Sequence, residues 1–161
     1  MGNSALLVDL YELTMAQVYF GRKRCAKATF DLFARRLPEN RSFLLAAGLA
    51  DILEYIRGLR FTPDDIVYLK SLGLFSRDFL HYLRSFKFTG DIWAMPEGTV
   101  FFPKEPVLRI TAPIMEAQIV EGFLLNTINL QTMIASKAAR VILAAQGRPV
   151  FDFALRRTHG S

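Results

Sequence analysis

The sequence predicts an α+β chain in which a strand, a group of short helices, three short strands and one long helix lead into a final buried strand. Three observations carry this. Residues 28–34 alternate, with Phe30 and Leu32 on one face and Thr29 and Asp31 on the other, which is the period of a half-buried strand. From Gly90 the chain is cut by proline and glycine into short β-prone pieces. Pro113 then opens a long helical region that runs to Ala145.

In chain order, Asp9-Leu10-Tyr11-Glu12 has the form of a capping box, and Leu10, Leu13, Met15, Val18 and Tyr19 make a loosely amphipathic helix that Gly21 ends. Tyr11 sits in its first turn, either packed against a neighbour with its hydroxyl satisfied or stacking on a ligand ring. The strand over 28–34 is followed by the loop Arg35-Arg36-Leu37-Pro38-Glu39-Asn40, and a small-residue helix is expected over 42–56. Thr62-Pro63-Asp64-Asp65 is a strong helix start, with a capping threonine, proline in the first turn and two carboxylates near the positive end of the dipole. Ser76 caps the next helix, on which His81 reads as a surface or packing histidine.

Strands are expected over 91–95, 99–102 and 107–111, with Pro96-Glu97-Gly98 and Pro103-Lys104-Glu105-Pro106 as turns, forming one small antiparallel sheet. In the long helix, Ser136 marks where a division would fall, and Asn126, Asn129 and Gln131 either fix packing or point into a cleft. The last apolar run, Val150, Phe151, Phe153 and Leu155, predicts a buried strand over 150–155 that empties into Arg156, Arg157, Thr158, His159 and Gly160. Ligands gather at the carboxyl ends of parallel strands. Two guanidiniums, a hydroxyl and an imidazole there make either an anion-binding rim or a solvated basic loop.

With 161 residues the chain is long enough for a sizeable core. Its 52% hydrophobic content and 14 phenylalanines imply large apolar surfaces that need partners. The net charge of +5 is spread among acidic residues rather than gathered in a stripe, which argues against nucleic acid and suits a phosphorylated small molecule equally well. A single cysteine, Cys25, excludes an internal disulfide and favours a reducing compartment. No apolar run reaches transmembrane length, so no membrane partner is expected and a cytoplasmic location is. Walker, GxGxxG, HExxH, CxxC and EF-hand patterns are absent.

Four blocks, in order, resemble the nicotinate phosphoribosyltransferases. They are Leu6-Leu7-Val8-Asp9-Leu10-Tyr11-Glu12-Leu13-Thr14-Met15, Phe30-Asp31-Leu32-Phe33-Ala34-Arg35-Arg36-Leu37-Pro38, Pro96-Glu97-Gly98-Thr99, and Asp152-Phe153-Ala154-Leu155-Arg156-Arg157-Thr158-His159-Gly160. The resemblance implies the N-terminal α/β domain of a type II phosphoribosyltransferase, residues 1–112. Residues 113–161 would then be the long helical region and the first strand of an α/β barrel that this chain does not complete. It implies joining of nicotinate to phosphoribosyl pyrophosphate in NAD salvage, coupled to ATP hydrolysis through a phosphohistidine in a later segment that nothing here matches. Mg²⁺ travelling with the phosphoribosyl pyrophosphate or ATP, and a homodimer or association with a missing C-terminal part, are implied too. Arg156, Arg157 and His159 are implied catalytic residues; Tyr11, Arg156, Arg157 and Thr158 are implied to bind substrate, Tyr11 by the pyridine ring. The alternative is a non-catalytic chain that needs a partner to complete its fold.

Overall fold

The computed structural model describes residues 5–22, 26–153 and 155–158. Helix α1 (Leu10–Arg22) leads to strand β1 (Lys27–Phe33) and a two-residue strand β2 (Leu44–Leu45). Helices α2 (Leu49–Gly58), α3 (Pro63–Ser71) and α4 (Arg77–Arg84) follow. Then come β3 (Asp91–Ala94), β4 (Val100–Phe101), β5 (Pro106–Pro113) and the 32-residue helix α5 (Ile114–Ala145).

The main sheet has the order β1-β5-β3, antiparallel throughout, with β5 in the centre. Its alternation explains the placement: Leu108, Ile110 and Ala112 are buried on one face, and Val107 is buried at the strand's start. On the opposite face Arg109 grips Asp31 with two hydrogen bonds of 2.6 and 2.8 Å, and the Thr29 and Thr111 hydroxyls meet at 2.9 Å. Gly90, just before β3, lies so close to β5 that an added Cβ would stand 2.4 Å from the Ala112 Cβ. A single three-stranded sheet from residues 91–111 was the expectation. Instead β3 and β5 join β1, while β4 leaves to pair with β2.

The helix expected over 42–56 starts only at Leu49. Long-range partners claim the backbone before it. Leu45 N–H donates to the Ser136 hydroxyl (2.8 Å), Ala46 N–H to Thr99 O (2.9 Å) and Gly98 N–H to Ala46 O (2.8 Å). Gly48 then turns at φ +104°, a conformation that favours glycine. The Glu97 carboxylate accepts from the Gly48 and Ala50 N–H groups at 2.8 and 3.3 Å, so the Pro96-Glu97-Gly98-Thr99 block is a clamp on the start of α2. Local capping works as read elsewhere. Thr62 and Asp65 complete a capping box, and the Ser76 hydroxyl accepts from Phe79 N–H.

Helix α5 runs unbroken through Ser136, whose hydroxyl donates back to Thr132 O at 2.6 Å, a local bond that helices tolerate. Residues Met115, Glu116, Ala117, Gln118, Ile119 and Val120 are all buried, and Leu124, Ile128, Thr132 and Ser136 continue the stripe. The helix packs chiefly on α1, with β2, α2 and the sheet alongside, and Tyr55 of α2 stacks on Phe123 at 3.7 Å. Its last turns carry Val141, Ile142 and Leu143, all exposed.

The strand expected over 150–155 is not formed. Residues 148–153 have no regular structure and Leu155–Arg157 is one 3-10 turn. A strand buried on both faces must pass its backbone groups to neighbouring strands. None stands beside it among the described residues, and Phe151 and Phe153 are 80% and 95% exposed.

Candidate functional site

A cleft of about 670 Å³ opens where the first turn of α1, the end of β1 and the middle of α5 meet. Its polar lining comes from three stretches: Asp9, Tyr11 and Glu12 at the start of α1; Arg35 and Arg36 from the loop after β1; and Asn126, Asn129 and Thr132 from α5. Leu32, Phe101, Val107, Ile128 and Met133 form the apolar floor. The strand end is delivered there by a register irregularity between Leu32 and Phe33, and such bulges re-aim the chain.

Helix α1 starts where the sequence places it because Glu12 reaches back, its carboxylate accepting from Asp9 N–H at 3.1 Å while its own N–H donates to Asp9 O at 3.0 Å. That carboxylate is only 1% exposed. It lies on Gly122 of α5, where an added Cβ would be 3.0 Å from one oxygen and 3.2 Å from the other. Burial pushes the Glu12 carboxyl up to about 7; hydrogen bonding from the Asp9 and Gly122 backbone works against this, and the negative fields of Glu121 and Asp9 add to it. The Tyr11 hydroxyl is raised chiefly by Glu12, then by Glu121, by burial and by Asp9. Burial, with Glu12 behind it, pushes the Tyr55 phenol up to about 12.

Tyr11, 53% exposed, forms part of the cleft wall. Arg156, Arg157 and Thr158 are exposed on and just after the 3-10 turn and do not line this cleft. His159 lies outside the described residues. Asn126 and Asn129 line the cleft, whereas Gln131 hydrogen-bonds Asp51. His81 is exposed on α4. Sequence reasoning missed Arg35 and Arg36, which it read as a plain loop although they too are an arginine pair following a strand. It saw Glu12 only as a cap. Among the described residues no three His, Cys, Asp or Glu side chains converge as a metal site. No helix among them is long and apolar enough to cross a membrane.

Residues 6–129 match the family model of the nicotinate phosphoribosyltransferase (NAPRTase) N-terminal domain. The chain belongs to the nicotinate phosphoribosyltransferase family. It is 55% identical over 157 residues to nicotinate phosphoribosyltransferase pncB2 of Mycobacterium tuberculosis, covering 98% of this chain and 34% of that one. It is 40% identical over 156 residues to the Bacillus subtilis nicotinate phosphoribosyltransferase, covering 96% and 32%. The crystal structure of human nicotinic acid phosphoribosyltransferase superposes with a TM-score of 0.85 at 34% identity, over 95% of this chain and 32% of that one. A nicotinate-nucleotide pyrophosphorylase from Pyrococcus furiosus shares the fold, with a TM-score of 0.74 at 24% identity. The chain thus spans about a third of the length of the curated relatives it matches.

Proposed function

We propose that this chain supplies the nicotinate-side wall of a nicotinate phosphoribosyltransferase, which forms nicotinate mononucleotide and pyrophosphate from nicotinate and phosphoribosyl pyrophosphate. The observation that carries the reading is the cleft itself: the exposed aromatic side chains Tyr11 and Phe33 line the same space as Arg35, Arg36, Asn126 and Asn129. A flat aromatic anion is recognised by such a set, the ring by stacking and the carboxylate or a phosphate by planar guanidinium donors.

The reaction is displacement at the anomeric carbon by the pyridine nitrogen, with pyrophosphate leaving. Its transition state asks mainly for positioning and for stabilisation of the departing charge. Tyr11 orients the ring and the arginines hold anions. Following the family resemblance, Arg156 is assigned to the nicotinate carboxylate or the phosphoribosyl substrate and Arg157 to the pyrophosphate, with Thr158 and His159 as further donors. The exposure of Arg156, Arg157 and Thr158 leaves them accessible for those roles. Mg²⁺ would arrive on the pyrophosphate. Coupling to ATP hydrolysis, a homodimer in which Tyr11 is donated across the interface, and a cytoplasmic location belong to the same reading.

The 161 residues alone are proposed to be inactive, because apolar side chains such as Leu143, Phe151 and Phe153 are uncovered among the described residues. The deciding assay supplies nicotinate and phosphoribosyl pyrophosphate to the protein expressed from its complete coding region and measures nicotinate mononucleotide. Absence of product, with the protein folded, refutes the reading; product from residues 1–161 alone refutes the claim of inactivity.

A further inference from the structure

Glu12 is the one acidic side chain lining the cleft that is almost completely removed from water. A cap needs no such burial, since capping carboxylates work at exposed helix ends. Gly122 also needs a reason, because glycine inside a helix costs about 1 kcal/mol relative to alanine. Each accounts for the other: the helix gives up a Cβ at residue 122 and the Glu12 carboxyl occupies that space. The residue before it in α1 is Tyr11, so whatever fixes the seat of Glu12 on α5 fixes how the first turn presents the ring.

The geometry points to Glu12 as a positioning residue: its carboxyl, seated on Gly122 and holding Asp9 N–H, sets how closely the Tyr11 ring stands to α5, and it does so in the protonated state. This rests on the reading of the cleft as the pyridine wall. The ionisable groups around it are Asp9 just before α1, Tyr11 on α1, Tyr55 on α2 and Glu121 on α5, with Arg35 and Arg36 elsewhere on the cleft lining. A neutral carboxyl sits among these without repulsion. Once ionised, it is a buried charge with Asp9 and Glu121 adding negative field, and its relief is movement of the α1 turn away from α5. Its shift towards neutrality places that change within the working range of a metabolic enzyme.

The test uses the protein expressed from its complete coding region, labelled with ¹³C in its tyrosine rings, Tyr11 being assigned through Tyr11→Phe. From pH 6 to 8.5 the Tyr11 ring signals should pass through an inflection near neutrality. Nuclear Overhauser contacts from that ring to α5 side chains should weaken over the same range. A through-space charge effect alone would move the shifts and leave the contacts. In Glu12→Gln both changes should vanish, and the several-fold weakening of nicotinate binding expected in the wild type between these pH values should vanish with them. Gly122→Ala, which crowds the carboxyl without removing it, should displace the inflection. Contacts that are absent at pH 6, unchanged with pH, or equally pH-dependent in Glu12→Gln overturn the proposal. The Tyr11 behaviour without any nicotinate binding leaves Glu12 as a proton-dependent strut and refutes the pyridine assignment instead.

Discussion

Replacing Glu12 with glutamine should stabilise the protein at neutral and alkaline pH and have little effect in acid. The carboxyl titrates at 4.5 in the unfolded chain and at about 7 in the folded one, so the folded state holds the proton more tightly. Its contribution is fully present below the unfolded value and is lost as pH rises through the folded value. At 1.36 kcal/mol per pH unit the difference between the two states is worth roughly 3 kcal/mol, and water in the open cleft beside the carboxyl reduces the expected figure to about 2–3 kcal/mol. Glutamine keeps the shape and the oxygen that accepts Asp9 N–H but carries no charge. Urea unfolding of wild type and Glu12→Gln between pH 5 and 8.5 isolates the effect, since every other titrating group is common to both proteins and the slope m checks that the unfolded states are alike. The gap in unfolding free energy should widen with pH in favour of the variant. A gap that stays constant across the range would show that the carboxyl titrates alike in the folded and unfolded chains, and the argument from its burial would fail.

Gly90→Ala should be among the most damaging single changes, costing more than about 3 kcal/mol, because the new Cβ would stand 2.4 Å from Ala112 Cβ and 2.7 Å from Thr111 O; a thermal midpoint near wild type would contradict that packing. Glu97→Ala removes the charged acceptor of the Gly48 and Ala50 N–H groups and should cost about 1.5–3 kcal/mol, read as early loss of amide protection at the start of α2; unchanged exchange there would count against the clamp. For the reaction, Tyr11→Ala should weaken nicotinate more than ATP, and the reverse order would remove Tyr11 from the ring site. Arg156→Ala should raise the KM for nicotinate or for phosphoribosyl pyrophosphate, and unchanged values for both would refute its assignment.

What could be read from the sequence follows the range of the interaction responsible. The starts of α1, α3 and α4 are set within four residues by Glu12, Thr62 and Ser76, and all three are legible. Strand β1 is legible because one of its faces is polar. Strand β2 is not: its backbone is captured by Ser136, while Ala46 and Gly48 beyond it are held by Thr99 and Glu97, partners a window along the chain never contains. The strand expected near Phe151 failed for the opposite reason. Its apolar pattern is real, but a pattern states what a segment can bury, and pairing partners decide whether it becomes a strand. In the cleft, Tyr11 was found through the resemblance, whereas Arg35, Arg36 and the burial of Glu12 emerged only once α5 was placed.

That dependence on α5 has a physical consequence. One face of a single helix, about 48 Å long at 1.5 Å per residue, carries the hydrophobic stripe that seats α1, β2 and the sheet, and along the same turns it carries Gly122, Asn126, Asn129 and Thr132 of the cleft. Packing and site geometry are therefore not separable there. A side chain that shifts α1 on α5 by a fraction of an ångström moves Tyr11 relative to the amides, whether or not it touches the cleft. Positions such as Leu13, Ala16 and Ile119, each at most 2% exposed, belong to that contact layer. Substitutions in it should alter the apparent affinity for the ring-bearing substrate before they unfold the protein, because interiors packed this tightly transmit strain rather than absorb it.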